Sequence, residues 1–83
     1  MTQRDKLRKR FLGMPKDFTW RELVRLLRQY DYKELPNSGT SHRSFSHQVT
    51  GDIISLPKPH GGRKFMLKVY LIQVKVKLQI EDE

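Results

Sequence analysis

The sequence predicts a small α+β domain in which a helix, three short strands and a closing segment best read as a helix follow one another. Three observations predict it: a capped amphipathic run after Pro15, alternating runs on either side of Thr50-Gly51, and a stretch of about 17 residues at 64–80 without Pro or Gly. The chain has 83 residues, 36% of them hydrophobic, which suits one compact domain with a small core.

Residues 1–13 intersperse charge with Leu7, Phe11 and Leu12. They read either as a short basic helix that docks by those apolar residues and stops at Gly13, or as a frayed tail. After Pro15, Thr19 is placed to cap a helix and Glu22, three residues on, to complete a capping box. Trp20, Leu23, Val24, Leu27 and Tyr30 then fall on one face at period 3.6, while Arg21, Arg25 and Arg28 share the other. The first set is expected in the core, with Trp20 against the C-terminal segment, and the arginines in solvent or on phosphate. Asp31 is expected to end the helix, because aspartate tolerates the left-handed cap conformation, though less readily than glycine.

A short strand is expected at 32–35, followed by a turn at Pro36-Asn37-Ser38-Gly39. Residues 40–49 read as a strand with Phe45 and Val49 on one face and His42, Ser44 and Ser46 on the other. Thr50-Gly51 closes a hairpin into a strand at 52–56, which Pro57 and Pro59 end. The segment 64–80 is ambiguous. Ile72, Val74, Val76, Leu78 and Ile80 alternate as in a strand, whereas Leu67, Leu71, Val74 and Leu78 have helical spacing, and its length favours a helix.

Seventeen Lys and Arg against nine Asp and Glu leave a net charge of +8 and a pI near 10.1, which puts nucleic acid first among partners. The absence of cysteine excludes disulfides, thiolate metal sites and cysteine nucleophiles. The apolar runs are too interrupted to span a membrane, and the basic N-terminus lacks the apolar core of a signal peptide, so a soluble, cytoplasmic protein is expected. No metal-ligand spacing, glycine-rich phosphate loop or nucleophile elbow is present, so no cofactor is expected.

What remains is His42 on a polar strand face, with Ser41 before it and Arg43 after it, and with Lys58, Arg63 and Lys64 in the loop beyond the next strand. RNA carries its own nucleophile, the 2′-hydroxyl. A cleaving enzyme therefore needs only a proton-transfer group and cations for the charge that builds on phosphate. An imidazole suits that role because its ordinary titration lies near neutral pH. From composition alone, an exposed histidine on a basic domain is more often a bystander. His47 shares the parity of Phe45 and reads first as a partly buried, hydrogen-bonded residue. His60, between Pro59 and Gly61, reads as a loop residue lining the site.

In these residues the chain resembles the HicA family of small ribonuclease toxins. The resemblance is carried by Phe18-Thr19-Trp20-Arg21-Glu22-Leu23-Val24-Arg25-Leu26-Leu27, by Gly39-Thr40-Ser41-His42-Arg43-Ser44-Phe45, and by Ile53-Ile54-Ser55-Leu56-Pro57-Lys58-Pro59-His60. Together they cover roughly residues 18–80. The resemblance implies a fold like that of double-stranded-RNA-binding domains, in the order helix, three-stranded antiparallel sheet, helix, with both helices on one face. It implies a toxin domain at 18–83, which leaves 1–17 as a basic N-terminal extension that resembles only some members and whose role the family core does not give. It also implies that His42 is the catalytic residue, that mRNA is cleaved without a metal, and that a HicB-type antitoxin covers the active surface. The chain departs from the family at Asp31, where glycine is usual, and in the β-branched residues of 64–80.

On this reading Arg21, Arg25, Arg28, Ser41, Arg43, Lys58, His60, Arg63 and Lys64 hold RNA. The alternative is a non-catalytic RNA-binding module of the same fold, which would read helical shape and need no histidine. A DNA-binding regulator is disfavoured, because the apolar stripe of the first helix is needed for the core.

Overall fold

The computed structural model describes residues 3–36, 42–59 and 63–80. Helix α1 (Gln3–Leu12) and helix α2 (Trp20–Gln29) lead into strands β1 (Tyr32–Glu34), β2 (His42–His47) and β3 (Ile53–Pro57), and helix α3 (Lys68–Leu78) follows. The strands form one antiparallel sheet in the order β1-β2-β3. The chain is thus an α+β fold with a helix, a three-stranded antiparallel sheet and a further helix, preceded by a short basic helix. Among the described residues no helix is long and apolar enough to cross a membrane.

The start of α2 is chemically determined. The Thr19 hydroxyl accepts from the Glu22 amide at 3.2 Å, and a Glu22 carboxylate oxygen accepts from the Thr19 amide at 2.9 Å, completing the capping box. The helix ends at Tyr30, and Asp31 takes the left-handed conformation with φ of 66°. An aspartate thus serves where glycine would be the easier choice.

The core gathers Phe18, Leu23, Leu26 and Leu27 with Phe45, Ile54, Leu56, Leu71 and Val74. Leu7 and Phe11 join the same cluster, so α1 is a docked helix rather than a frayed tail. Arg10 of α1 binds Glu22, donating from Nε at 2.6 Å, which lays α1 along the Glu22 and Leu26 side of α2. That placement explains one departure from the sequence expectation. Leu26, outside the expected stripe, is fully buried, whereas Trp20, Val24 and Tyr30 are only partly buried around the core. Trp20 meets Phe45 of β2, with ring centroids 5.8 Å apart.

A second departure concerns Val49, which is 81% exposed rather than on the Phe45 face. Strand β2 ends at His47, whose Nδ1 accepts from the amides of Val49 and Thr50, each at 3.1 Å. Those two bonds turn the backbone out of the sheet two residues before Gly51, where φ is +78°. The other end of the expected strand, Thr40 and Ser41, lies outside the described residues.

The closing segment is a helix. Leu71 and Val74 are buried, Leu78 is partly buried, and Val69, Ile72 and Val76 are exposed, a rotation by thirds rather than by halves. Leu67, expected in the stripe, is instead the exposed N-cap residue.

Candidate functional site

The register of the sheet separates its two faces. Tyr32 pairs with His47, Glu34 and Ile54 both pair with Phe45, and Leu56 pairs with Arg43. Tyr32, Phe45, Ile54 and Leu56 are buried, so these residues belong to the face that the helices cover. His42, Ser44 and Ser46 have the opposite parity and lie on the uncovered face with Lys33, Ile53, Ser55 and Pro57. His42 is exposed there, at the end of β2, with Pro57 as its register partner. The next pair along, Ser44 and Ser55, join through their hydroxyls at 2.9 Å.

Pro57 also opens a second feature. Beyond it the chain leaves β3, an edge strand, and a cleft of about 890 Å³ forms between that exit and the start of α3. Lys58, Arg63 and Lys64, the three loop cations expected from sequence, all line this cleft, together with Lys16, Phe65 and Tyr70. Lys16 comes from the α1–α2 connection. It is brought there because Phe65 bridges to Thr19 and the Met66 amide donates to the Phe18 carbonyl at 2.8 Å. No carboxylate lines the cleft among the described residues.

Other expected RNA contacts lie elsewhere. Arg43 has the parity of Phe45, and on the covered face its NH1 lies 3.5 Å from Glu34 Oε2. Its Nε is buried without an acceptor. Arg43 and His42 therefore point to opposite sides of the sheet. Arg21, Arg25 and Arg28 are exposed on the side of α2 opposite Leu23 and Leu27, so the helix layer and the sheet both stand between them and His42. Ser41 and His60 lie outside the described residues. Among the sequence candidates, the structure brings His42 beside the strand whose exit leads to Lys58, Arg63 and Lys64. It does not bring the α2 arginines to them.

Lys16, Phe65 and Tyr70 were not singled out by sequence reasoning. The run Arg63-Lys64-Phe65 carried a signal, a basic pair against an aromatic, which is a pattern of nucleic-acid grooves. Lys16 carried none, because its position depends on the Thr19 and Phe65 bridge.

At the other end of β2 the polar groups are bound to one another. The Tyr32 hydroxyl donates to Asp52 Oδ2 at 2.9 Å, and Lys77 Nζ reaches Asp52 Oδ1 at 3.1 Å. Burial, and then the Asp52 carboxylate, push the Tyr32 hydroxyl up to about 12. The Tyr32 hydrogen bond, and then that of Lys77, hold Asp52 below the usual carboxylate range. His47 sits edge-on to the Tyr32 ring, with centroids 5.0 Å apart, and its Nδ1 is engaged by the turn. Near α1, the Arg10 hydrogen bond likewise lowers Glu22, against the opposing effect of burial. Comparison with known proteins finds no matching family model, no matching curated protein and no matching solved structure.

Proposed function

We propose that this chain is a metal-independent endoribonuclease of the HicA toxin type, which cleaves mRNA in the cytoplasm with His42 as its proton-transfer group. The observation that carries this reading is the position of His42. It is exposed on the uncovered face of the sheet, across from the strand whose exit opens into a cleft lined by four cations and no carboxylate among the described residues. The resemblance of residues 18–80 to the HicA family supports it independently.

The chemistry asks little of the protein. Removal of the 2′-hydroxyl proton lets O2′ attack the adjacent phosphorus. The P–O5′ bond breaks and the leaving O5′ takes up a proton, which yields a 2′,3′-cyclic phosphate and a 5′-hydroxyl. His42 moves one of these protons, and the cleft cations offset the negative charge that builds on the phosphoryl oxygens. A HicB-type antitoxin would silence the enzyme by covering the His42 face.

The non-catalytic alternative draws on the Arg21, Arg25 and Arg28 stripe, which faces away from His42 and could hold RNA without cutting it. One experiment separates the two: purified protein is incubated with a defined single-stranded RNA in the presence of a chelator. The enzyme reading expects fragments ending in 2′,3′-cyclic phosphate, and no cut at a position made 2′-deoxy. Intact RNA, or fragments that form only with added metal, would contradict it.

A further inference from the structure

We propose that the cleft between the exit of β3 and the start of α3 is a subsite for one unpaired RNA nucleotide, with its base on Phe65 and its phosphates on Lys16, Lys58, Arg63 and Lys64. The proposal rests on the ribonuclease reading in one respect, that the strand seated here continues to His42.

Charge provides the first argument. Four cations from two separate connections, α1–α2 and β3–α3, converge on this cleft, and none of them makes an ion pair among the described residues. Where carboxylates stand near, the chain pairs its cations, Arg10 with Asp17 and Glu22, Arg43 with Glu34 and Lys77 with Asp52; Arg21, Arg25 and Arg28 are exposed too, but they lie along one helix and do not line this cleft. Like charges brought together without counter-ions destabilise a fold unless an anion joins them. The start of α3 adds to the field, since Leu67 provides no side-chain cap and no acidic residue lies in the first turn.

Shape and apolar surface provide the second. Phe65 is 43% exposed, yet its backbone is held by the bridge to Thr19 and by the neighbouring Met66 amide on the Phe18 carbonyl. A fixed aromatic in solvent, with Tyr70 and Pro57 in the same cleft, is a platform on which a base can stack. A volume of about 890 Å³ lies within the range of roughly 300–1,000 Å³ typical of ligand sites. Stacking on Phe65 takes a base freed from its pairing partner.

Position provides the third. Pro57 lines the cleft and is the register partner of His42, so one residue of the cleft wall and His42 sit side by side on adjacent strands, with paired Cα atoms roughly 5 Å apart. A strand whose base occupies the cleft therefore passes an adjacent phosphate across His42. The substrate class follows: RNA that is unpaired at the cut, with a base required at one flanking position.

The test uses the full chain and short 2′-O-methyl RNAs, which lack the free 2′-hydroxyl needed for cleavage, with binding read by fluorescence anisotropy. Single-stranded RNA should bind well above the same sequence in a duplex. Phe65→Ala should weaken single-strand binding about 5- to 100-fold, as loss of a stacked base does, with no change in salt dependence. Phe65→Tyr should restore binding. Lys58→Ala with Lys64→Ala should reduce the slope of log affinity against log salt by about 0.7 per lost contact. If Phe65→Ala does not fold, a 2-aminopurine base placed along the RNA should still show altered fluorescence at one position with the wild-type chain. Unchanged single-strand affinity in folded Phe65→Ala would overturn the subsite, as would duplex binding equal to single-strand binding, or no 2-aminopurine response at any position. Cleavage of ordinary RNA by the wild-type chain is scored separately. Cleavage with an inert cleft sinks only the subsite, and a working cleft without cleavage sinks only the ribonuclease reading.

Discussion

His42 and His47 stand at the two ends of one six-residue strand, yet they belong to opposite sides of the sheet. His47 shares the covered face with Phe45. Its ring meets Tyr32 and its Nδ1 is taken up by two turn amides, so its imidazole is committed to closing the β2–β3 hairpin. His42, five positions earlier, reaches the uncovered face beside the strand that opens into the cation-lined cleft. An odd separation along a strand reverses the face. Parity alone puts one imidazole on the covered face at the hairpin turn and the other, the proposed proton-transfer group, on the uncovered face.

Substitutions along β2 and its neighbours can sharpen or break this contrast. Phe45→Ala opens the covered face under Trp20 and should cost about 3 to 5 kcal/mol, read as a shift in the urea midpoint. Trp20→Ala should cost less, about 2 kcal/mol, because the indole is only partly buried. An equal loss at both sites would place Trp20 deeper than the structure does. His47→Ala should cost about 1 kcal/mol through the lost turn hydrogen bonds, measured by the same midpoint, while RNA cleavage persists.

The covered end of β2 should also respond to alkali. The Tyr32 value is raised by folding, so the protonated hydroxyl is the form that folding favours. Its contribution is complete below the ordinary tyrosine value near about 10 and is lost as pH rises through the folded value of about 12. Phenolate absorbance should show one late-ionising tyrosine, with stability falling across that window. A Tyr32 that ionises with the other tyrosines would contradict the hydrogen bond to Asp52. On the uncovered face, Ser44→Ala should shift stability by no more than about 0.5 kcal/mol, since its hydroxyl partner Ser55 remains accessible to water.

Much of this contrast was legible in the sequence because it depends on local rules. Thr19 with Glu22 marked the start of α2, Asp31 its end, and the three-residue step from His42 to Phe45 placed the histidine opposite the core. What was not legible depends on elements meeting in space. The docking of α1 decided that Leu26 would be buried and Trp20 only partly so. The His47 bonds to the turn decided that Val49 would leave the sheet. In α3 the apolar residues satisfy both a period of two and a helical spacing, and only packing on β3 selects Leu71 and Val74 for burial. The cleft was half legible. Lys58, Arg63 and Lys64 were visible as a cluster, whereas Lys16 arrives only through the bridge between Thr19 and Phe65.

The most direct measurement compares three proteins on one RNA at neutral pH with chelator present: wild type, His42→Ala and His47→Ala, each with its single-turnover cleavage rate and its melting temperature. The account predicts that His42→Ala loses at least about 100-fold in rate, the lower end of what a general acid or base contributes, and melts with the wild type. His47→Ala is predicted to keep its rate and melt earlier. A His42→Ala protein that cuts at the wild-type rate or fails to fold would contradict the assignment, as would a well-folded His47→Ala protein that no longer cuts.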